Sequence, residues 1–239
     1  MKYLLSCSFG KDSLAAAICR VERGEPVDEA VYCRVMFDHE ISGEIPEHED
    51  WIHSHAIPLL EKRYGIKTAI VQSEISYTDC FYNRFLKGTK IGRIYGFPFR
   101  MGAWCNDRLK TRPIKKYQKQ AGEHVSIIGI AADETKRIGR NTAPDKVLPL
   151  VGYNVTEAEA FDICKNAGLL SPAYNGGRAR LGCWFCHNQR VGELRRLRSE
   201  YPYLWDKLME LDRDSPVSFT PYKTLYHYDE RFRLEEAEQ

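Results

Sequence analysis

The turn Ser6-Cys7-Ser8-Phe9-Gly10-Lys11-Asp12-Ser13 is built of residue types that hold phosphate. Gly10 lets the backbone come close to an anion, and the amides that open a following helix point at it. Ser6, Ser8 and Ser13 add hydroxyl donors, and Lys11 adds a point charge. Charge-assisted hydrogen bonds of this kind contribute roughly 1.5–3 kcal/mol each. The turn is not a Walker A loop, which needs a glycine where Leu5 stands and Ser or Thr where Asp12 stands. Asp12 cannot touch a phosphate without repulsion, so its expected role is to act through Mg²⁺ or to cap the turn.

A second constellation is made of cysteines. Cys183-Trp184-Phe185-Cys186 follows Gly182 and the Gly- and Arg-rich turn Asn175-Gly176-Gly177-Arg178, and His187 comes next. Two thiols at this spacing can grip one metal from a tight turn. Cys105 lies upstream, in Gly102-Ala103-Trp104-Cys105-Asn106. Zinc and an iron–sulfur cluster both suit thiolates, so the donor types leave that choice open. Cys7, Cys19, Cys33, Cys80 and Cys164 have no metal-like partner at close spacing.

Basic residues flank these segments: Arg108, Lys110, Arg112, Lys115 and Lys116 on one side, Arg190, Arg195, Arg196 and Arg198 on the other. They form either a solvated helix face or a surface for a polyanion. His48-Glu49-Asp50-Trp51-Ile52-His53 imitates a zinc-protease motif with one residue too many. The two histidines then point ~140° apart on a helix, and an exposed helix face is the expected setting.

Lys and Arg number 35 against 33 Asp and Glu over 239 residues, a net charge of +2. That balance does not point to a DNA-coating protein and leaves room for a local basic patch. The length fits one large domain, or one domain with a smaller appendage. No stretch approaches the ~20 apolar residues of a membrane helix, and the run after Lys2 is too short for a signal peptide. The cytoplasm is the expected compartment, where thiols stay reduced.

The elements that must position these residues are legible as alternating periods. Tyr3 to Ser8 reads as a buried strand, Asp12 to Arg23 as a helix stopped by Gly24, and Glu29 to Phe37 as a strand. Pro46 to Tyr64 reads as a helix ended by Gly65, and Lys67 to Gln72 as a third strand. His124 to Ala131 and Val147 to Leu150 supply two more strands. Thr156 and Glu159 form a capping box that opens a helix ending near Gly168. Helices follow at Gln189 to Arg198 and Tyr203 to Leu211, and the acidic tail after Arg231 is expected to fray. This order predicts an α/β, doubly wound, mostly parallel five-stranded sheet with a helical C-terminal region. The expected division is a nucleotide-binding domain over 1–152 and a cysteine-bearing region over 153–239.

Ser8-Phe9-Gly10-Lys11-Asp12-Ser13 resembles the modified P-loop (PP-loop) of the ATP pyrophosphatases, in the version of the phosphoadenosine phosphosulfate (PAPS) reductase-like branch. Val35-Met36-Phe37-Asp38 with Gly43 to Glu47 resembles that family's acidic segment after the second strand. Gly129-Ile130-Ala131-Ala132-Asp133-Glu134 with Arg137 and Arg140 resembles its segment after the fourth. The resemblance covers roughly residues 3–187. It implies a Rossmann-like fold of the adenine nucleotide alpha hydrolase type and ATP with Mg²⁺ as ligands.

Residue by residue, the resemblance implies contact of Phe9 and the rest of the turn with the nucleotide, and of Asp38 with its ribose and adenine. It implies that Gly129, Asp133, Arg137 and Arg140 meet phosphates or sulfate, with Lys11, Asp12 and Asp38 as the catalytic set. It further implies a [4Fe–4S] cluster on Cys105, Cys183 and Cys186 with one iron open; with His187 the same thiols would instead make a zinc site. The family's reductases carry a nucleophilic cysteine near the C-terminus, and no cysteine follows Cys186 here. Sulfonucleotide reduction is therefore the lesser expectation. The main one is adenylation of a nucleic-acid or small-molecule acceptor followed by sulfur transfer. A sulfur-donor protein and a homodimeric state are compatible with it, the alternative from another class is a non-catalytic nucleotide sensor with structural zinc, and a membrane partner is not expected.

Overall fold

The first strand, β1 (Lys2–Cys7), buries Leu4, Leu5 and Cys7, neighbours on opposite faces of the pleat. A strand covered on both faces belongs at the centre of a parallel sheet. β1 pairs in parallel with β2 (Glu29–Arg34) on one side and with β4 (His124–Ile128) on the other. β3 (Lys67–Gln72) and β5 (Lys146–Val147) complete the order β3-β2-β1-β4-β5, parallel throughout. The computed structural model describes residues 1–98, 103–175, 177–178 and 181–238; Gly102 and Gly176, read above as turn residues, lie outside them. The expected Rossmann-like α/β architecture is therefore present. β5 stops earlier than the sequence suggests, because Pro149 opens a helical turn, Pro149–Gly152.

The chain forms two compact units. The first is Met1–Arg34, Ile45–Gln72 and Arg112–Leu181; the second is Val35–Glu44, Ser73–Thr111 and Gly182–Gln239. The first unit holds the whole sheet. Its opening helix, Lys11–Glu22, buries Leu14, Ala15, Ala16, Ala17 and Ile18, and the run of alanines lets the helix lie close to its neighbours. The helix Glu157–Asn166 packs against it and starts at the predicted capping box, with the Glu159 amide donating to Thr156 Oγ1 at 3.3 Å and the Thr156 amide donating to Glu159 Oε2 at 2.8 Å.

The segment Pro46–Tyr64 is helical as expected, with a wider π-helical stretch at Ile52–Ala56 and a left-handed Gly65 ending it at φ 69°. The expectation of an exposed histidine face holds for His53 and fails for His48. His48 is fully buried, stacked on Trp51, with Nδ1 2.9 Å from Ser171 Oγ. The two histidines do diverge, but His48 falls on the packed side of the helix.

Burial holds the His48 imidazole down at about 4. A group with a folded pKa below its unfolded value near 6.5 binds its proton preferentially in the unfolded chain. Its contribution is complete above pH 6.5 and is lost as the pH falls towards 4, at up to about 1.4 kcal/mol per pH unit. The urea midpoint should therefore fall between pH 7 and pH 5, and the fall should be smaller in His48→Gln. Equal falls in both proteins would assign the acid sensitivity to other groups.

The second unit is built around aromatic side chains, with Tyr77, Phe81, Phe97, Trp184 and Phe219 almost wholly buried. Its helices include Tyr77–Tyr82, Val191–Glu200 and Pro202–Asp214. The tail expected to fray is instead part of a helix, Leu225–Ala237, which buries Leu225, Tyr228 and Phe232. Its acidic side chains meet arginines of Val191–Glu200: Arg198 pairs with Asp229 at 2.7 Å and also with Glu236, and Arg195 pairs with Glu235. Two cations of the second basic cluster thus serve this helix pair. Among the described residues, no helix is long and apolar enough to cross a membrane.

Candidate functional site

The turn after β1 is knitted by Ser13. Its hydroxyl donates to the Gly10 carbonyl at 2.9 Å, accepts from the Ser8 amide at 3.3 Å and lies 3.9 Å from Cys7 Sγ. The amides of Asp12 and Ser13 open the helix and have no acceptor within it. Gly10 has φ −80° and ψ 159°, open to any residue. A β-carbon there would make ordinary contacts, 3.4 Å from Ser8 Oγ and 3.5 Å from the Tyr174 hydroxyl.

The unusual backbone is at Phe9, with φ 53°. Phe9 is fully buried and meets Tyr32 edge-on at 5.1 Å. Its left-handed conformation costs about 1–2 kcal/mol, whereas deleting a buried phenyl group costs about 3–5 kcal/mol. Phe9→Gly should accordingly destabilise the chain by about 1–4 kcal/mol net, read from chemical denaturation. A gain in stability would mean that strain outweighs packing.

Lys11 is almost buried. Its ammonium lies 2.8 Å from Asp12 Oδ1 and 3.4 Å from Glu157 Oε2. Its amide donates to the Tyr174 hydroxyl at 3.1 Å, and its carbonyl accepts from Cys164 Sγ at 3.1 Å. Burial raises the Asp12 carboxyl above the usual range despite the opposing pull of Lys11. Asp12 bonds Lys11 and does not cap the turn: no side-chain bond caps this helix.

Gly129 follows β4 and lies directly against this turn. A β-carbon on it would fall 2.5–2.6 Å from the Asp12 carbonyl group and the Ser13 amide. The register explains the approach, because Ser6 of β1 sits opposite Ile128 of β4. Ser6, Ser8, Gly10, Lys11, Asp12, Ser13 and Gly129 are thus gathered at the carboxyl ends of β1 and β4, where the strand order reverses.

The remaining sequence candidates are placed differently. Asp133 accepts from the Glu157 amide at 3.1 Å. Arg137 is exposed and holds both oxygens of Glu134 at 2.7 Å, and Arg140 is exposed near it. Asp38 belongs to the second unit, where Oδ1 accepts from the amides of Glu40 and Ile41 and Oδ2 lies 3.9 Å from Lys207. Sequence reading missed Tyr174, Glu157 and Cys164 as neighbours of Lys11. Glu157 does carry a local signal, an acidic residue in the first turn of a capped helix; Tyr174 and Cys164 carry none.

All eight cysteines are free thiols. Cys7, Cys19, Cys33, Cys80 and Cys164 are buried, while Cys105, Cys183 and Cys186 are only partly so. Those last three all belong to the second unit. Burial, with Cys186 beside it, pushes Cys105 up to about 11. Burial and the Glu44 carboxylate push Cys183 higher still, Lys110 opposing. Raised thiols are poor nucleophiles, and a bound metal deprotonates them.

Their shared neighbour is Tyr77, whose hydroxyl burial raises it well above the usual range, with Cys105, Cys186 and Cys183 adding to the effect. The Tyr77 hydroxyl and the Trp104 indole N–H, on rings 5.0 Å apart, are buried with no hydrogen-bond partner among the described residues. A metal-bound thiolate or a sulfide would be an acceptor for such donors. Gly43 keeps room here, since a β-carbon on it would lie 2.8 Å from the Val35 carbonyl oxygen and 3.3 Å from Cys183 Sγ. His187 is buried in the same unit. Among the described residues, no three His, Cys, Asp or Glu side chains are already drawn into a coordination group. The soft donor set and the orphaned donors fit an inorganic centre in chemistry.

No family model matches the chain. It is similar to Uncharacterized protein MJ0066 of Methanocaldococcus jannaschii, with 27% identity over 216 residues, covering 85% of this chain and 40% of that protein. It is also similar to Uncharacterized protein MJ0973 of the same organism, with 25% identity over 125 residues, covering 48% of this chain and 30% of that protein. The chain thus spans less than half the length of either protein.

Chemically, the turn offers helix-opening amides, hydroxyls and one ammonium at the switch point of a parallel sheet, which suits a polyphosphate. The cysteine neighbourhood offers sulfur ligands.

Proposed function

We propose that this chain binds ATP with its phosphates on the turn Ser6–Ser13 and uses it to adenylate an acceptor before sulfur is transferred. The observation that carries the reading is the convergence of Ser8, Lys11, Ser13 and Gly129 at the carboxyl ends of two adjacent parallel strands. The PP-loop resemblance supports ATP as the ligand. In the step itself, an acceptor oxygen attacks the α-phosphorus and the bond to the β-phosphate breaks, releasing pyrophosphate. A sulfur nucleophile then attacks the activated carbon, and AMP leaves with the oxygen.

Lys11 is the cation for the phosphates. To reach them its ammonium must leave Asp12 and Glu157, and Asp12 is then available to Mg²⁺. Arg137 and Arg140 would supply charge for the distal phosphates, Arg137 by leaving Glu134; Phe9 keeps the turn seated on the core. Asp133 steadies the start of the helix that carries Glu157, and Asp38 is assigned to the ribose and adenine on the resemblance alone.

Cys105, Cys183 and Cys186 would hold a [4Fe–4S] cluster, or with His187 a zinc ion. Such a cluster supplies an iron site for the sulfur that is to be transferred. Tyr77 and Trp104 would donate to its sulfur atoms. The cytoplasm, with its reducing thiol pool, is the setting that suits this chemistry.

Calorimetry with Mg·ATP tests the nucleotide assignment. Lys11→Ala should weaken binding at least tenfold, the scale of one lost charge-assisted contact of roughly 1.5–3 kcal/mol. Unchanged affinity would overturn it.

A further inference from the structure

The second unit carries a loop that neither the phosphate turn nor the cysteine cluster uses. Residues Asn83 to Tyr95 fold back as an irregular hairpin, with the Phe85 amide donating to the Arg93 carbonyl at 3.0 Å and the Tyr95 amide to the Asn83 carbonyl at 2.8 Å. Between these bonds the sequence Arg84-Phe85-Leu86-Lys87-Gly88-Thr89-Lys90-Ile91-Gly92-Arg93 has four cations and no acid. Its tip presents Leu86 at 83% and Ile91 at 66% exposure.

The base of the loop is aromatic. The rings of Phe85 and Tyr95 lie 4.6 Å apart, with Lys90 Nζ 5.8 Å from the Phe85 centroid and the Arg108 guanidinium 5.2 Å from that of Tyr95. These rings form a wall of a pocket of about 210 Å³, which Lys90 and Arg93 also line and which Pro216 and Val217 complete.

We infer that this loop binds a single-stranded nucleic acid, with one base entering the pocket and Arg84, Lys87, Lys90 and Arg93 meeting the flanking phosphates. Cations alone would serve any polyanion, and exposed leucine and isoleucine beside lysines would also suit an anionic membrane surface. Neither uses a ring-walled pocket. A base does, because every base has a π-face that stacks on an aromatic ring while the backbone phosphates track the cations. The inference names a nucleic acid as the acceptor in the reading above and rests on that reading for the chemistry, but the binding itself needs no ATP.

Fluorescence anisotropy of the full chain with a labelled oligouridylate, at rising salt, tests it. The expected dissociation constant is about 1–100 µM, weakening steeply with salt. Lys87→Ala with Arg93→Ala should weaken binding at least tenfold and lower the slope of log affinity against log salt by about 1.4, at ~0.7 per phosphate contact. Phe85→Leu, which keeps an apolar side chain at the base, should weaken RNA binding about tenfold, the low end of the 1–3 kcal/mol attributed to one stacked base. The same variant should leave inorganic polyphosphate binding unchanged.

Absence of RNA binding would overturn the proposal. So would equal loss of RNA and polyphosphate binding in Phe85→Leu, or capture on phosphatidylserine vesicles with RNA left unbound. Mg·ATP affinity, measured on the same variants, reads the phosphate turn separately, so failure of one assignment is distinguishable from failure of the other.

Discussion

Gly129→Ala should lose most nucleotide affinity and cost about 1–3 kcal/mol of stability, the scale of an overpacked site. The added carbon would meet the carbonyl group of Asp12 and the amide of Ser13 at 2.5–2.6 Å. Both are backbone, so no side chain can rotate away; β4 or the turn must move. Gly10→Ala is the matched control. Its β-carbon would make ordinary contacts at 3.4 and 3.5 Å, and its backbone angles are open to alanine. Thermal melts should therefore separate the two variants, and calorimetry with Mg·ATP should show a far larger loss for Gly129→Ala. A melting point and affinity like those of the parent chain would mean that the turn is not held in the geometry described.

The second large effect concerns metal. Protein purified without oxygen should be brown and contain iron and acid-labile sulfide, and Cys183→Ser should remove both. Cys19→Ser, which alters a buried thiol of the opening helix, should keep them. The basis is that Cys105, Cys183 and Cys186 all act on one buried tyrosine, Tyr77, whose hydroxyl has no partner among the described residues. Colourless protein holding one zinc per chain would reject the cluster and retain the site. Metal-free protein, or metal untouched by Cys183→Ser, would reject the site.

What the sequence made legible was local. The strand, the Gly10-Lys11 step and the amphipathic helix lie consecutively, so their periods and the turn chemistry could be read together. The capping box at Thr156 was legible for the same reason. Tyr174 was not: it bonds the Lys11 amide across 163 residues of chain, and nothing in its own neighbourhood marks it. The C-terminal helix was missed because its acidic side chains read as a solvated tail, when their partners, Arg195 and Arg198, sit on another helix. His48 was misplaced because spacing gives the angle between two residues and not which of them faces the core. Phe9 shows a tertiary override: a buried aromatic side chain occupies a left-handed position that favours glycine.

The central claim is that the turn after β1 holds a nucleotide's phosphates. Amide resonances followed during titration with Mg·ATP test it most directly. The largest shifts should fall on Ser8, Gly10, Lys11, Asp12, Ser13 and Gly129, and adenosine, which lacks phosphates, should move them far less. Saturable ATP binding that leaves these amides unmoved, or adenosine shifts equal to those of ATP, would contradict the account.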